Sequence, residues 1–385
     1  MFTITGDIVT PDGVLEHGAV TVGDDGIIAE VSARRTSAPR SGDIDAGGFL
    51  VLPGFVDVHV HGGGGADFMH GTEDAVRQIA RTHAKYGTTS LLATTLTASR
   101  EATDRAIRAA QTVMDAGPGE GEARVLGIHL EGPYICAAKR GAQPEAFVRP
   151  PDREELTHWI KLGRGSIRRI TLAPELEGVD EIIKYAALKG VTVSIGHTNA
   201  TAAEAEAAIA WGATGATHLF NAMPPLHHRQ PGAVGVALAR PEIVCELIAD
   251  GVHLHLLIVR LVVAAKGPEG VVLITDAIEG TAMPDGEYEL GGQTVLVQDG
   301  TAAFADGTLA GSVLTMNRAF TNVRRAGVTL PESALLSSGN ALRQLGQSDT
   351  RGTIAPGMAA DLAVVHPETG EVAWTLIGGR VAYQR

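Results

Sequence analysis

Basic residues are in short supply: 31 Lys+Arg stand against 44 Asp+Glu, a formal net charge of −13 over 385 residues, and no Lys/Arg-rich block relieves it. A chain so biased is expected to bind neither nucleic acid nor an anionic membrane, and an anionic small substrate would need a local basic pocket. Cysteine is nearly absent as well. Cys136 and Cys245 cannot build a disulfide framework, which fits a reducing cytoplasm. No apolar run approaches membrane-spanning length. The opening "MFTITGDIVTPDG" lacks a charged segment followed by a long apolar stretch, so it reads as a first strand and turn rather than a secretion signal. Low-complexity tracts and short-period repeats are missing too. What is present is material for a large core: 44% hydrophobic against 19% charged residues argues against disorder.

The length suits one large α/β barrel carrying an accessory domain. Residues 1–50 alternate short apolar and polar positions between Gly/Asp turns, as in "GAVTVGDDGIIAEV", which predicts a small antiparallel β unit. The C-terminal "DLAVVHPETGEVAWTLIGGRVAYQR" has the same character. Chain ends often lie close together, so residues 1–53 and 356–385 are expected to pair into one small β-sandwich domain. Between them lie eight strand candidates: "FVDVHV", "TTSLLATT", "RVLGIHL", "IRRITLA", "VTVSIG", "ATGATHLF", "IVCELIA" and "GVVLIT". Helix-like stretches separate them, such as "EDAVRQIARTHAKYG", where Gly87 suits a C-cap. That pattern predicts a (β/α)8 TIM-like barrel over residues 54–355. After the eighth strand, "EYELGGQTVLVQDGTAAFADGTLAGSV" breaks the repeat and reads as a β-hairpin insertion.

Barrels of this kind carry their chemistry at the C-terminal ends of the strands. Here those ends offer His59 and His61 on strand one, Glu131 on strand three, His197 on five, His218 on six and Asp276 on eight. Residues two apart in a strand point the same way, so His59 and His61 can both face the barrel mouth. Imidazole and carboxylate together suit Zn²⁺, Fe²⁺ and similar ions with a position left for water. Such an ion lowers the pKa of water from about 15.7 to about 7 and polarises a carbonyl, which points to amide or ester hydrolysis. One histidine at a strand end is ordinarily structural; ligand-type residues at several independent strand ends are not. A plainer use for Asp276 is as a helix N-cap.

The segments "PGFVDVHVHGGG", "HLEGPYICAAKRGA", "SIGHTNAT", "THLFNAMPPLHHR", "ADGVHLH", "LITDAI" and "GTLAGS" together resemble the amidohydrolase superfamily, and within it the deacetylases of amino-sugar phosphates. The closing "GTIAPGMAADLAVV" resembles the stretch by which those chains leave the barrel for the β domain. The resemblance implies hydrolysis of the acetamido group of N-acetyl-D-glucosamine 6-phosphate to D-glucosamine 6-phosphate and acetate, in amino-sugar catabolism and cell-wall recycling. It implies one or two divalent ions per chain, zinc before iron, manganese, cobalt, nickel or cadmium. Glu131, His197 and His218 would hold the first ion. His59 and His61, present here where some members have Gln and Asn, would hold a second, with Glu131 as bridge.

By the same resemblance Asp276 serves as general base and then general acid. His253 would contact the substrate beside the reacting amide, and Ala142, Gln143, Leu309, Ala310 and Gly311 would complete the sugar site. Backbone donors of Asn221 and Ala222 would bind the phosphate with Arg229, which is expected to reach in from the neighbouring subunit of a homodimer. Gln143 departs from the histidine common in the family, and its amide could still bond a sugar hydroxyl. The glycines of "HGGGG" would let backbone pass close to metal and substrate. Cys136 reads as packing or a lid contact, and Cys245 as core. Two other readings fit the residues less well. Amidohydrolases with a carbamylated lysine after strand four do not fit "TLAPE", and a non-catalytic scaffold would not be expected to retain every ligand.

Overall fold

A computed structural model describes residues 1–35, 38 and 40–385. The chain opens with β1 (Phe2–Thr10), β2 (Gly13–Val22), β3 (Ile28–Ser32) and β4 (Ile44–Pro53), and a single glycine separates β4 from β5 (Phe55–Val60). A two-residue pair follows, β6 (Gly62–Gly63) with β7 (Ala66–Asp67). Next come β8 (Thr88–Thr95), β9 (Arg124–Glu131), β10 (Ile167–Leu172), β11 (Thr192–Ile195), β12 (Ala213–Ala216), β13 (Val244–Ile248) and β14 (Val271–Ile274). The last strands are β15 (Gly286–Leu290), β16 (Gln293–Gln298), β17 (Thr301–Ala303), β18 (Leu362–Val365), β19 (Val372–Ile377) and β20 (Arg380–Gln384).

Eight parallel strands run in the order β5-β8-β9-β10-β11-β12-β13-β14, and each overlaps one of the eight segments expected from the sequence, several of them shorter than expected, such as β12. All six residues of β5 and all eight of β8 are buried, the unbroken burial of strands covered on both faces, although β5 carries Asp57 and His59 and β8 is rich in threonine. Side chain and backbone join β5 to β14. The Asp57 carboxylate accepts from the Thr275 hydroxyl at 2.5 Å and its amide at 3.3 Å. Beside it the Asp276 N–H donates to His59 O at 2.9 Å. Closure therefore brings the ends of the first and eighth strands together. The helix after β7 spans Glu73–Ala84 and is capped by Thr72; it stops short of Gly87, with Lys85 as its C-cap. Gly87 instead turns the chain into β8 at φ +84°, where a Cβ would lie 2.8 Å from the Phe55 ring.

The two chain ends share one sheet, ordered β20-β19-β18-β4-β1-β2-β3. Where two sandwiched sheets are expected from the sequence, the strands form one continuous mixed sheet, because β4 pairs in parallel with β1 and antiparallel with β18. Its period-2 alternation explains how it is held. Val51, Leu362 and Val364 point into the sheet's own core with Ile4, Ile8 and Val20, whereas Leu50, Leu52, Ala363 and Val365 join the barrel core. The expected hairpin after strand eight is a three-stranded antiparallel sheet, β15-β16-β17. Its Leu290, Val295, Val297 and Ala302 pack with Leu96 and Ile278 over the barrel mouth. Among the described residues no helix is long and apolar enough to cross a membrane.

Candidate metal centre

Six polar side chains meet at the C-terminal ends of the barrel strands, all of them buried. They form two groups whose candidate ligand atoms converge: Glu131 with His197 and His218, and His59 with His61 and Asp276. Glu131 lies between the groups. Its Oε1 is 3.1 Å from His197 Nε2, 3.3 Å from His218 Nε2 and 3.3 Å from His59 Nε2, while its Oε2 is 3.2 Å from His61 Nε2. Asp276 Oδ1 stands 3.2 Å from His61 Nε2 and 3.4 Å from His59 Nε2. Three of these residues, His197, His218 and Asp276, have positive φ of 46°, 29° and 52°. Strained backbone of that kind persists where the surrounding structure over-determines it, as at functional sites.

The donor set fits a divalent cation. His197 gives its Nδ1–H to Lys139 O at 3.0 Å and His59 gives its own to Glu246 Oε2 at 3.2 Å, which leaves each Nε2 lone pair aimed inward. The Nε2 atoms of His197 and His218 are 3.0 Å apart, a crowding of lone pairs that a shared cation relieves. Electrostatics agree with the geometry. Burial would raise the Glu131 carboxyl, but His59, His197 and His218 outweigh it and hold it well below the usual carboxylate range. Burial also opposes protonation of His61, yet Asp276 and Glu131 lift it to about 9. Asp276 is likewise held down by His59 and His61 against its burial.

A cavity of about 290 Å³ opens above these groups. Of the residues expected from the sequence, His61, Glu131, His197, His218 and Asp276 line it, as do Ala142, Gln143, Asn221, Ala222, His253, Leu309 and Gly311. His59 lies beneath its floor, fully buried. His253 donates from Nδ1 to Asp250 Oδ2 at 2.7 Å, which fixes the ring. Leu96, Gly141, Leu290 and Thr308 also line the cavity, and nothing in their local sequence distinguishes them.

Several expectations change. Gln143 is buried, with both ends of its amide engaged: Nε2 donates to Glu131 Oε2 at 2.5 Å and Oε1 accepts the Thr97 N–H at 2.7 Å. It braces a carboxylate rather than offering a free donor to a sugar. The Asn221 N–H is spent on His218 O at 2.9 Å, within the turn, rather than directed at a phosphate. Ala310 is fully buried and packs with the three-stranded sheet instead of lining the cavity. Arg229 is exposed, and its Nη1 lies 2.8 Å from His228 Nε2, outside the cavity of its own chain. Within the glycine run, a Cβ on Gly64, at φ +63°, would fall 2.2 Å from Thr82 Oγ1, so this glycine is needed for close packing. Cys136 is half-buried and outside the cavity lining, and Cys245 is core, its thiol pushed up to about 12 by burial.

A further layer of polar residues below the ligands lies away from the strand ends that the sequence singles out. His129, Arg169 and Glu246 sit within the apolar strands β9, β10 and β13, all essentially solvent-free. His129 is held neutral by burial and by the nearby His59 and Arg169, and bonds Val58 O at 3.2 Å and Thr171 Oγ1 at 2.7 Å. A charged residue inside an apolar strand is the signal that could have found this layer, since it needs a buried partner.

Residues 50–382 match the model of the Amidohydrolase family. The chain is 40% identical over 384 residues to the N-acetylglucosamine-6-phosphate deacetylase of Bacillus subtilis (strain 168), spanning 98% of this chain and 95% of that relative. It is 37% identical over 360 residues to the N-acetylgalactosamine-6-phosphate deacetylase of Escherichia coli O157:H7, with 93% of each covered. Its structure is similar, at a TM-score of 0.92 and 33% identity, to a mutant N-acetyl-D-glucosamine-6-phosphate deacetylase from Mycobacterium smegmatis in complex with N-acetyl-D-glucosamine-6-phosphate, over 100% of this chain and 99% of that one.

Proposed function

This chain belongs to the amidohydrolase family, and from that premise we propose that it hydrolyses the acetamido group of N-acetyl-D-glucosamine 6-phosphate to D-glucosamine 6-phosphate and acetate. The observation that carries the reading is the convergence of two sets of histidine and carboxylate donors, Asp276 among them, at the floor of one cavity. The near-full-length identity to deacetylases of that substrate supports it. Residues 1–53 and 356–385 would form the small domain of this enzyme and residues 54–355 its catalytic barrel. Two unpaired cysteines suit work in the cytoplasm.

Glu131, His197 and His218 would hold one divalent ion, and His59, His61 and Asp276 a second, with Glu131 shared between them. Zinc suits this set of imidazoles and carboxylates, which also admits iron, manganese, cobalt, nickel or cadmium. A bound ion supplies polarisation of the acetyl carbonyl and a lowered pKa for the attacking water. Asp276 does the proton work: its carboxylate accepts a proton from water and returns it to the departing amine, a poor leaving group until protonated. Its backbone is fixed for the task, because the Asp276 N–H is tied to His59 O at 2.9 Å and its carbonyl receives the Ser312 N–H at 2.7 Å. His253, oriented by Asp250, hydrogen-bonds the substrate beside the amide.

Among the described residues no Lys or Arg lines the cavity. In the reading proposed here, the phosphate charge is met by Arg229 of the opposite subunit in a homodimer, together with the backbone around Ala222. The test measures amine release from N-acetylglucosamine with and without the 6-phosphate, and from the galacto epimer of the phosphate, alongside zinc per chain. Strong preference for the 6-phosphate is expected. Equal rates with and without it would remove the phosphate assignment, and absence of turnover in zinc-loaded protein would refute the reading.

A further inference from the structure

We infer that Glu246, anchored by Arg169, is a positioning residue that sets up His59 as a metal ligand and so governs the second metal position. This rests on the two-position reading above. Glu246 lies in the middle of β13, fully buried, where a carboxylate is costly unless every oxygen is partnered. Its Oε1 forms an ion pair with Arg169 Nε at 3.0 Å, a charge contact without hydrogen-bond alignment, and Arg169 reaches it from β10, three places away in the barrel order. Its Oε2 accepts the Nδ1–H of His59 at 3.2 Å and the backbone N–H of His218 at 3.3 Å.

Two consequences follow for the ligands. With Nδ1 bearing the proton, His59 presents the Nε2 lone pair toward Glu131 and Asp276, and the tautomer cannot reverse without losing the Glu246 bond. The second bond holds His218 at its unfavourable φ of 29°, so one carboxylate steadies a ligand from each group. Among the described residues Nδ1 of His61 and Nδ1 of His218 have no partner and His197 Nδ1 meets a backbone carbonyl, which makes His59 the histidine of the four braced by a carboxylate outside the two groups. Arg169 is pinned in turn: its Nη1 donates to Gln344 Oε1 at 3.1 Å and its Nη2 to Ser194 Oγ at 3.4 Å.

Stability alone does not account for the pair. A buried ion pair is often matched or bettered by apolar residues of similar volume, whereas a carboxylate behind a histidine ligand raises its basicity and fixes its ring. Glu246 and Arg169 are therefore read as serving the metal position rather than the core.

The experiment compares zinc per chain, after dialysis at controlled free zinc, in the wild-type protein, in Glu246→Gln and in the double variant Arg169→Met/Glu246→Leu. The double variant leaves no unpaired buried charge, so it separates folding from ligation. Wild type is expected to hold two ions. Both variants are expected to hold about one, with the second bound at least about tenfold more weakly, the usual effect of removing such a support. Two ions retained in either folded variant at near-wild-type affinity would overturn the inference while leaving the two-position reading intact. A wild type that binds one ion overturns that reading and the inference with it. If neither variant folds, the pair is a folding element and the inference is equally overturned.

Discussion

Replacing Asp276 with asparagine probes the proposed chemistry at a single atom pair. The side chains are nearly isosteric, and asparagine is among the few residues besides glycine that accept the left-handed backbone, here at φ 52°. The backbone bonds to His59 O and from Ser312 N survive unchanged. Folding should therefore be retained, with a melting shift of no more than about 1 °C, equivalent to about 1 kcal/mol in a chain of this size. Catalysis should not be. An amide cannot take a proton from water at neutral pH, and loss of a general acid–base group costs about 10²–10⁴ in rate, or roughly 3–5 kcal/mol of barrier at about 1.4 kcal/mol per decade. The Glu131–His197–His218 position does not involve Asp276, so its ion should stay. Turnover of N-acetyl-D-glucosamine 6-phosphate, zinc per chain and thermal melting on one preparation test all three expectations. A variant that keeps its metal and turns over within tenfold of wild type refutes the assignment of the base.

Substituting both His59 and His61 by alanine should remove about one zinc per chain, read by elemental analysis; an unchanged count returns the pair to a structural role. Gln143→Ala should weaken zinc binding more than it raises KM, because the amide braces Glu131; a pure KM effect would restore Gln143 to the sugar. The metal-free protein should lose stability as pH rises from 7 to 9. Against its burial the neighbouring carboxylates raise His61 from 6.5 to about 9, so the folded state binds more protons than the unfolded one in this window, whereas Asp57, raised by burial from 3.8 to about 7, lowers stability with rising pH mainly below it. The Asp57 contribution is complete only below its ordinary pKa and fades through 7, while that of His61 is complete below 6.5 and fades through 9. Glu131 and Asp276, both lowered, are already ionised there and add no slope. Melting after metal removal should fall across that range, and a rise would contradict the arrangement of charges.

Much of the site was legible because strand periodicity and strand ends are local properties. His59 and His61 share a face through the period of two, and "HLEGP", "GHT" and "TDA" each end a strand that the apolar pattern delimits. Gln143 was legible as an unusual residue but not as a brace for Glu131, because its partner Thr97 is distant in sequence and approaches only when β8 and β9 pair. Glu246 passed as part of an apolar strand for the same reason: Arg169 and His59 come from strands on other parts of the barrel wall.

Local patterning along the chain sets the alternation of strand and helix, the residues that end each strand and the chemistry those residues offer. Tertiary structure alone decided their company. Barrel closure through Asp57 and Thr275 set Asp276 against His59, and the positive φ of His197, His218 and Asp276 arose from packing rather than from any local preference for glycine-like turns. Local pattern depends on neighbours along the chain, whereas the distances that make a metal centre depend on which strands lie side by side, and only the folded barrel establishes that.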